Sequence, residues 1–269
     1  MHAAREEQRE RKADGPLHAL RAWREIADRL KSGEPRVVLL DFDGTLVRLR
    51  RNPLDAKLSQ RARKVLQKLA GLPSVSIAIV SGRSAAVVQK LCGVEEVGIF
   101  GLHGSEELGA PPPEVSGEER RALHNAKKMA RERLREFEGV GIEDKGLGFT
   151  VHYRGAGDAA VRGANQALLA TVAPLRHALD IHDGKKVWEV LPRKIAGKGS
   201  AVRKMVEQFP STAEVLYIGD DEPDEKAFAA LEEHLTVRVG KFRDTHAHFY
   251  LRNPSEVLQL LSRLVKEFA

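Results

Sequence analysis

The feature that most constrains the fold of this chain is a series of short, nearly continuous apolar segments that alternate with segments of helical periodicity. Residues 37–40, 75–80 and 215–218 are apolar segments of this kind. A strand that is apolar along its whole length has both faces buried, which is typical of a parallel sheet covered by helices. The alternation therefore predicts an α/β fold with a doubly wound, mostly parallel sheet.

The alternation is interrupted in the middle of the chain. Three consecutive prolines at 111–113 follow a glycine-containing turn, and such a stiff stretch is typical of a hinge or domain edge. Strands and helices of another kind follow, which predicts an α+β domain inserted into the core. The predicted parts are residues 1–33, an N-terminal polar segment and helix; 34–108 and 190–269, the core; and 109–189, the inserted domain.

Helical signals also occur near both ends of the chain. Apolar residues recur at helical spacing over residues 16–30, which predicts an amphipathic helix that ends before Gly33. Near the other end, Asn253 and Pro254 suit the N-cap and the first position of a helix. We expect that last helix to continue to Phe268.

Composition excludes several classes of protein. Cys92 is the only cysteine, so neither a disulfide framework nor a cysteine-built metal site is expected. Residues 1–15 are charged and no apolar run approaches the roughly 18 residues of a membrane span. We therefore expect a cytoplasmic protein without a membrane partner.

The net charge of +6, from 44 basic and 38 acidic residues, does not by itself indicate a partner. The basic residues are dispersed among acidic ones, and neither zinc-finger spacing nor an RNP-like aromatic pattern occurs. We expect no nucleic-acid partner. A mixed-charge solvated surface explains the sum, and mild attraction for a small anionic substrate is the alternative.

Two carboxylates directly follow the first apolar segment. Asp41 and Asp43 are two residues apart, so on extended chain their side chains project to the same side. Such a pair is costly unless a metal or catalysis requires it. One carboxylate can attack phosphorus while its protonated neighbour donates to the leaving oxygen. The alternative is a strand-end turn, with or without bound Mg²⁺.

Three further elements carry polar groups at a strand end or helix start. Ser81 and Gly82 follow the second apolar segment, where a hydroxyl and a backbone N–H suit a phosphate oxygen. Lys198 precedes a helix and could hold the same phosphate. Taken singly, each signal also fits an ordinary turn or a solvated surface. The third element is acidic: Asp220, Asp221, Glu222, Asp224 and Glu225 follow residues 215–218.

Those acidic residues would repel one another without a cation, and ligands that are all oxygen favour Mg²⁺. An acidic helix N-terminus, which the helix dipole stabilises, is the alternative. That alternative explains Glu222 and Asp224 well. It explains Asp220, at the tip of the strand, poorly.

The order and residues of these four elements resemble the haloacid dehalogenase superfamily of aspartyl-phosphate phosphotransferases. The resemblance implies that Asp41 is the nucleophile and Asp43 the general acid and base. The inserted domain resembles the cap called C2. The implied Mg²⁺ ligands are Asp41, the backbone carbonyl of Asp43 and Asp220, supported by Asp224 and Asp221. The implied phosphate-binding residues are Ser81, Gly82 and Lys198, of which Ser81 and Lys198 also count as catalytic.

Segments outside these elements, including 101–104, 142–145, 152–154 and 188–192, resemble the trehalose-6-phosphate phosphatase family over about 37–264. The family often has Thr where this chain has Pro223, and we expect Pro223 to start a helix without harm to the metal site. The implied substrate contacts are Glu143, Lys145, Arg154 and Glu189, with His103 at the phosphate or sugar. A carboxylate can accept sugar hydroxyls while Lys and Arg donate. The alternatives are solvated charges, a structural ion pair for Arg154 and a buried structural histidine.

The expected activity is Mg²⁺-dependent hydrolysis of trehalose 6-phosphate to trehalose and phosphate, a phosphoric monoester hydrolysis. The first alternative is another sugar phosphatase, for sucrose 6-phosphate, mannosyl-phosphoglycerate or a hexose phosphate. A second is a non-catalytic phosphosugar-binding module beside a synthase. We expect a monomer whose partner is the sugar phosphate. A trehalose-6-phosphate synthase is the further candidate partner.

Overall fold

The computed structural model describes residues 15–50, 52–184, 186–195 and 197–269. These residues form two compact units. The core unit runs from the first described residue to Ala110 and continues over Lys198–Ala269, and the inserted unit is Pro111–Gly197. Most of the charged segment 1–15 lies outside the described residues. None of the described helices is both long and apolar enough to cross a membrane.

Twelve strands and eight α-helices are present in the described part of the chain. The strands are β1 (Leu17–His18), β2 (Arg36–Leu40), β3 (Val75–Val80), β4 (Gly98–Gly101), β5 (Glu106–Glu107), β6 (Gly141–Asp144), β7 (Phe149–His152), β8 (Leu179–Gly184), β9 (Val187–Pro192), β10 (Glu214–Gly219), β11 (Leu235–Val239) and β12 (Phe249–Leu251). The helices are α1 (Trp23–Lys31), α2 (Gln60–Ala70), α3 (Ala85–Cys92), α4 (Gly117–Leu134), α5 (Asp158–Val172), α6 (Lys198–Val206), α7 (Glu222–Ala230) and α8 (Pro254–Phe268).

The core unit is built on an eight-stranded sheet with the order β1-β12-β11-β10-β2-β3-β4-β5. All neighbouring strands are parallel except β4 and β5. The central strands are buried on both faces: Val38 and Leu40 of β2 pack into one hydrophobic cluster, whereas Val37 and Leu39 pack into the other. The predicted α/β fold with a doubly wound, mostly parallel sheet is confirmed.

The strand order places the predicted catalytic and binding residues together at the carboxyl ends of neighbouring strands. Strands β10, β2 and β3 are parallel neighbours, so their carboxyl ends lie side by side. Asp220 follows β10, Asp41 follows β2 and Ser81 follows β3. Ligands of open parallel sheets bind beyond these ends, and the three residues are therefore positioned by the fold itself.

The inserted unit is a four-stranded antiparallel sheet, in the order β6-β7-β9-β8, with α4 and α5 packed on one face. Helix α4 begins with a capping box: Ser116 accepts from the backbone of Glu119, and Glu119 accepts from the backbone of Ser116. Strand β6 was not predicted.

The boundaries of the inserted unit differ from the prediction. It was predicted over 109–189, whereas Pro111–Gly197 forms the unit. The reason is that β9 continues through Pro192: Val190 pairs with Phe149 and Leu191 pairs with Asp180. Residues 190–197 therefore do not belong to the core, which was predicted over 190–269.

The N-terminal prediction was wrong in its first turns. Residues 16–30 were predicted as one helix, but Leu17 and His18 form β1 and pair with Phe249 and Tyr250 of β12. Helix α1 begins only at Trp23. Pairing satisfies the backbone groups of this segment and leaves the Leu17 side chain 45% exposed. Instead of being a separate part, the described portion of 1–33 thus supplies an edge strand of the core sheet.

Candidate active site

A buried lysine joins two carboxylates at the carboxyl edge of the core sheet. Lys198, the first residue of α6, places its Nζ 2.6 Å from Oδ1 of Asp41 and 2.6 Å from Oδ1 of Asp224. All three side chains are buried. Burial acts to lower the pKa of Lys198, but the charges of Asp224 and Asp41 outweigh it and hold this pKa well above its usual value. Lys198 is therefore a permanent positive charge in the site.

Asp224 is the most heavily hydrogen-bonded group of the site. Its Oδ1 also accepts from the Tyr217 hydroxyl at 2.6 Å, and its Oδ2 accepts from the backbone N–H groups of Asp220 and Asp221, each at 2.9 Å. The carboxylate lies against Gly219, where a Cβ would come within 2.3 Å of its Cγ. Both oxygens of Asp224 are thus engaged by the protein. Asp224 organises the site around it.

Tyr217 lies on β10 and is fully buried. Burial, together with the charge of Asp224, raises the pKa of Tyr217 well above its usual value, so the hydroxyl keeps its proton and acts as the donor. Its place in the apolar segment 215–218 predicted only a residue of a buried strand. A hydroxyl within a strand that is otherwise apolar was the available signal.

The acidic groups of this edge fit a divalent cation. One oxygen from each of Asp41, Asp220 and Asp224 lies within 4.8 Å of the others. The three carboxylates can carry more negative charge than the one ammonium of Lys198 offsets, and buried charges need compensation. Among the described residues, Oδ2 of Asp41 is buried without a hydrogen-bond partner. Because Asp224 is engaged by protein donors, Asp41 and Asp220 are the better inner ligands, and oxygen ligands suit Mg²⁺.

Burial also raises the pKa of Asp41 well above its usual value; Lys198 opposes this effect, whereas Asp224 and Asp220 add to it. A cation held between Asp41 and Asp220 would remove that repulsion. The turn after Asp41 approaches Asp220 closely: Gly44 has φ +89°, and a Cβ at this position would lie 2.1 Å from Oδ2 of Asp220. Only glycine fits this turn.

The carboxylate of Asp43 is held apart from the acidic group of Asp41 and Asp220. Both of its oxygens accept from Arg83: Nη2 donates to Oδ1 at 2.7 Å, and Nε donates to Oδ2. The Asp43 side chain is 27% exposed. Arg83 was not predicted as a site residue, although it directly follows Ser81 and Gly82. In this arrangement Asp43 accepts hydrogen bonds, and it has to leave Arg83 before it can donate a proton elsewhere.

The loop after β3 is held by a left-handed turn. Leu102 and His103 have φ of +47° and +59°, which is strained for residues with a side chain. Their N–H groups donate to the carbonyls of Arg83 and Ser81, both at 2.8 Å. The His103 ring lies against Gly82, where a Cβ would come within 2.9 Å of Cε1. The structure therefore places His103, which is 7% exposed, against the predicted phosphate-binding loop.

Asp221 and Pro223 have structural positions at the start of α7. Asp221 is the N-cap: its Oδ1 accepts from the N–H of Glu222 at 2.9 Å. Pro223 lies in the first turn of the helix, as predicted. The carboxylate of Asp221 is thus used for capping, beside the cluster of Asp41, Asp220 and Asp224.

The predicted sugar-binding residues lie in the inserted unit. The register aligns Glu143 with Thr150 and Thr150 with Glu189, which puts these residues on one face of the sheet. Oε1 of Glu189 accepts from Lys145 at 3.0 Å and from Thr150 at 3.3 Å.

The remaining predicted contacts in this unit are more open to solvent. Oε2 of Glu143 lies 2.8 Å from Nε2 of His152, and the Glu143 side chain is 50% exposed. Arg154 is exposed and lies just beyond the end of β7. The structure therefore brings together Lys145 with Glu189 and Glu143 with His152.

Comparison with solved structures identifies the fold. The C-terminal domain of C. albicans trehalose-6-phosphate phosphatase is 24% identical and matches with a TM-score of 0.75, over 90% of this chain and 96% of that one. A haloacid dehalogenase-like hydrolase from Bacteroides thetaiotaomicron, 15% identical, matches with a TM-score of 0.60 over 85% and 99% of the two chains. The core unit thus has the fold of the haloacid dehalogenase superfamily.

Comparison of the sequence assigns the chain to a family. The trehalose-phosphatase family model matches residues 39–255, and the chain belongs to this family. It is 33% identical to trehalose-phosphate phosphatase of Mycobacterium tuberculosis, over 90% of this chain and 64% of that protein. It is 31% identical to probable trehalose-phosphate phosphatase H of Arabidopsis thaliana, over 88% of this chain and 74% of that protein. This chain therefore spans less than two thirds of the length of the mycobacterial relative.

Proposed function

We propose that this protein hydrolyses trehalose 6-phosphate to trehalose and inorganic phosphate. The observation that supports this most directly is the buried contact of Lys198 with Asp41, beside Asp220, in a chain of the trehalose-phosphatase family. A lysine and a carboxylate at the carboxyl edge of a parallel sheet suit the binding and attack of a phosphoryl group.

In the first step, Asp41 attacks phosphorus and the bond from phosphorus to the sugar oxygen breaks. Asp43 gives its proton to that oxygen, after leaving Arg83. Lys198, the Ser81 hydroxyl and the backbone N–H of Gly82 hold the oxygens of the transferring group and stabilise their charge. The products of this step are trehalose and an aspartyl-phosphate at Asp41.

In the second step, Asp43 removes a proton from water, and the resulting hydroxide attacks the phosphorus of the aspartyl-phosphate. The bond from phosphorus to the Asp41 oxygen breaks, which restores the carboxylate and releases phosphate. Asp43 is then protonated for the next cycle. One residue thus serves as acid and then as base.

A Mg²⁺ ion would be held by Asp41, Asp220 and the backbone carbonyl of Asp43, with Asp224 and Asp221 in support. When bound, it supplies Lewis-acid stabilisation of the phosphoryl charge. The excess negative charge and the buried Oδ2 of Asp41 support this assignment.

The sugar would be recognised by the inserted unit. We assign hydroxyl contacts to Glu143, Lys145, Arg154 and Glu189, whose charged oxygen and nitrogen atoms match the donors and acceptors of a disaccharide. Because His103 lies against Gly82, we assign it to support of the phosphate-binding loop instead of to direct sugar contact.

The test is phosphate release from a panel of sugar phosphates, with Mg²⁺ and with EDTA, and with Asp41→Asn as the inactive control. Selective, Mg²⁺-dependent hydrolysis of trehalose 6-phosphate is expected. Hydrolysis only of sucrose 6-phosphate, mannosyl-phosphoglycerate or hexose phosphates would overturn the sugar assignment. Release from none of them would favour a non-catalytic phosphosugar-binding module. Light scattering would then measure its oligomeric state, and a pull-down would test its binding to a trehalose-6-phosphate synthase.

A further inference from the structure

Tyr217 contributes a single polar atom to the buried site. Its ring packs in the core, edge-on to Phe228 with the centroids 5.7 Å apart. Its hydroxyl donates to Oδ1 of Asp224 at 2.6 Å. No step of the proposed reaction uses this hydroxyl, yet only three contacts separate it from Asp41.

The hydroxyl shares its acceptor atom with Lys198. Oδ1 of Asp224 accepts from Tyr217 and also lies 2.6 Å from the Lys198 ammonium. The same ammonium reaches Oδ1 of Asp41 at 2.6 Å. Tyr217, Asp224, Lys198 and Asp41 therefore form one continuous buried chain of contacts.

Sharing of this oxygen has a consequence for Lys198. A donor that withdraws charge from Oδ1 of Asp224 weakens the hold of that oxygen on the ammonium. Without the tyrosine hydroxyl, Lys198 would be drawn more strongly to Asp224 and less toward Asp41. In a buried site such effects are large because water does not screen them.

We propose that Tyr217 is a positioning residue that, through Oδ1 of Asp224, keeps the Lys198 ammonium directed at Asp41 and at a phosphate bound there. That the group bound at Asp41 is a phosphate rests on the proposed function. Tyr217 is not among the residues assigned above as nucleophile, general acid, metal ligand or phosphate contact.

The backbone contacts of Asp224 show that Tyr217 is not needed merely to hold the Asp224 carboxylate in place. Oδ2 accepts from the N–H groups of Asp220 and Asp221, so the carboxylate stays in place when the tyrosine hydroxyl is removed. The hydroxyl determines how strongly Oδ1 of Asp224 attracts the Lys198 ammonium. Its loss should therefore change the binding of phosphate more than it changes the fold.

The test compares Tyr217→Phe, which keeps the ring, with Tyr250→Phe, which removes a hydroxyl elsewhere in the core unit. Calorimetry with inorganic phosphate in the presence of Mg²⁺ measures affinity without any sugar. We expect the Kd for phosphate to rise about tenfold in Tyr217→Phe and to change less than about twofold in Tyr250→Phe. An unchanged phosphate Kd in folded Tyr217→Phe overturns the proposal.

A double-variant cycle provides a second measurement. If Tyr217 acts through Asp224, then Tyr217→Phe should have an effect below about twofold on phosphate affinity once Asp224→Asn is present. Equal effects in both backgrounds would show a route that bypasses Asp224 and contradict the proposal. A wild-type protein that binds phosphate but hydrolyses no trehalose 6-phosphate would refute the proposed substrate and leave this proposal testable. Absence of phosphate binding in the wild type would refute the role proposed for Tyr217, whereas the substrate panel alone decides the proposed substrate.

Discussion

The ammonium of Lys198 lies 2.6 Å from a carboxylate oxygen of Asp41, although 157 positions separate the two residues. Asp41 follows a central strand, whereas Lys198 begins the helix at which the chain re-enters the core unit. The whole inserted unit lies between them in the sequence. The contact therefore lies within the core unit, and it joins the proposed nucleophile to a positive charge.

Asp41→Asn should lower turnover of trehalose 6-phosphate by at least about a thousandfold, because an amide oxygen is a poor nucleophile toward phosphorus. Steady-state phosphate release with Mg²⁺ measures the effect. Asp55→Asn, at an exposed position of the same unit, is the matched control and should retain full activity. Substantial turnover by Asp41→Asn would remove the nucleophile assignment.

Mg²⁺ should stabilise the folded protein, because it offsets the excess negative charge of Asp41, Asp220 and Asp224. At a concentration of about 100 times its Kd, the gain is about 2.7 kcal/mol. Thermal melts with Mg²⁺ and with EDTA measure it without reference to activity. Asp220→Asn should lose most of the Mg²⁺-induced shift, and an undiminished shift in that variant would place the ion elsewhere.

Glu143→Ala should raise KM for trehalose 6-phosphate about tenfold and leave KM for a small aryl phosphate within about twofold, because only the disaccharide offers hydroxyls to this carboxylate. Kinetics on the two substrates give the comparison. Glu138→Ala, another exposed glutamate of the inserted unit, serves as control. Equal changes for both substrates would mean that Glu143 is structural.

Glu256 should make the stability of the protein depend on acid pH. Burial acts to raise its pKa, but hydrogen bonds from Arg252 and the charge of His18 outweigh this, and the net pKa is lowered. Because the folded-state pKa is lower than the unfolded one, the stabilisation is present above about pH 4.5 and is lost as pH falls through the folded value.

Glu256→Gln should accordingly cost about 1 to 2 kcal/mol at pH 7, and the difference from wild type should shrink in acid. Urea unfolding at several pH values measures it, with the exposed Glu232→Gln as control. If Glu256→Gln stayed less stable than wild type by the same amount down to pH 2, the shape of the side chain, and not the charge of Glu256, would be what matters there.

The fold was predictable where burial is complete. Residues 37–40 and 215–218 are apolar on both faces, which leaves a clear signal in the sequence. Very short strands leave almost none: β1 and β12 comprise two and three residues, and their pairing depends on chain far away in sequence. For this reason residues 16–30 were predicted as one helix.

The site was predictable where a polar residue follows an apolar strand, as Asp41 and Asp220 do. The pairing of Arg83 with Asp43 spans 40 positions and follows from the arrangement of neighbouring strand ends, which local sequence does not contain. Tyr217 differs from its neighbours on the buried strand in carrying a hydroxyl, but the hydroxyl alone does not show what it contacts. Its role depends on Asp224, in the first turn of the following helix, and so follows only from the folded structure.

The measurement that tests the central claim most directly is chemical trapping of the enzyme during a single turnover of radiolabelled trehalose 6-phosphate. Acid quench, digestion and mass spectrometry should locate the phosphoryl group on Asp41, and borohydride reduction should convert that residue to homoserine. Label on Asp43, or hydrolysis without labelled enzyme at any quench time, would contradict the account.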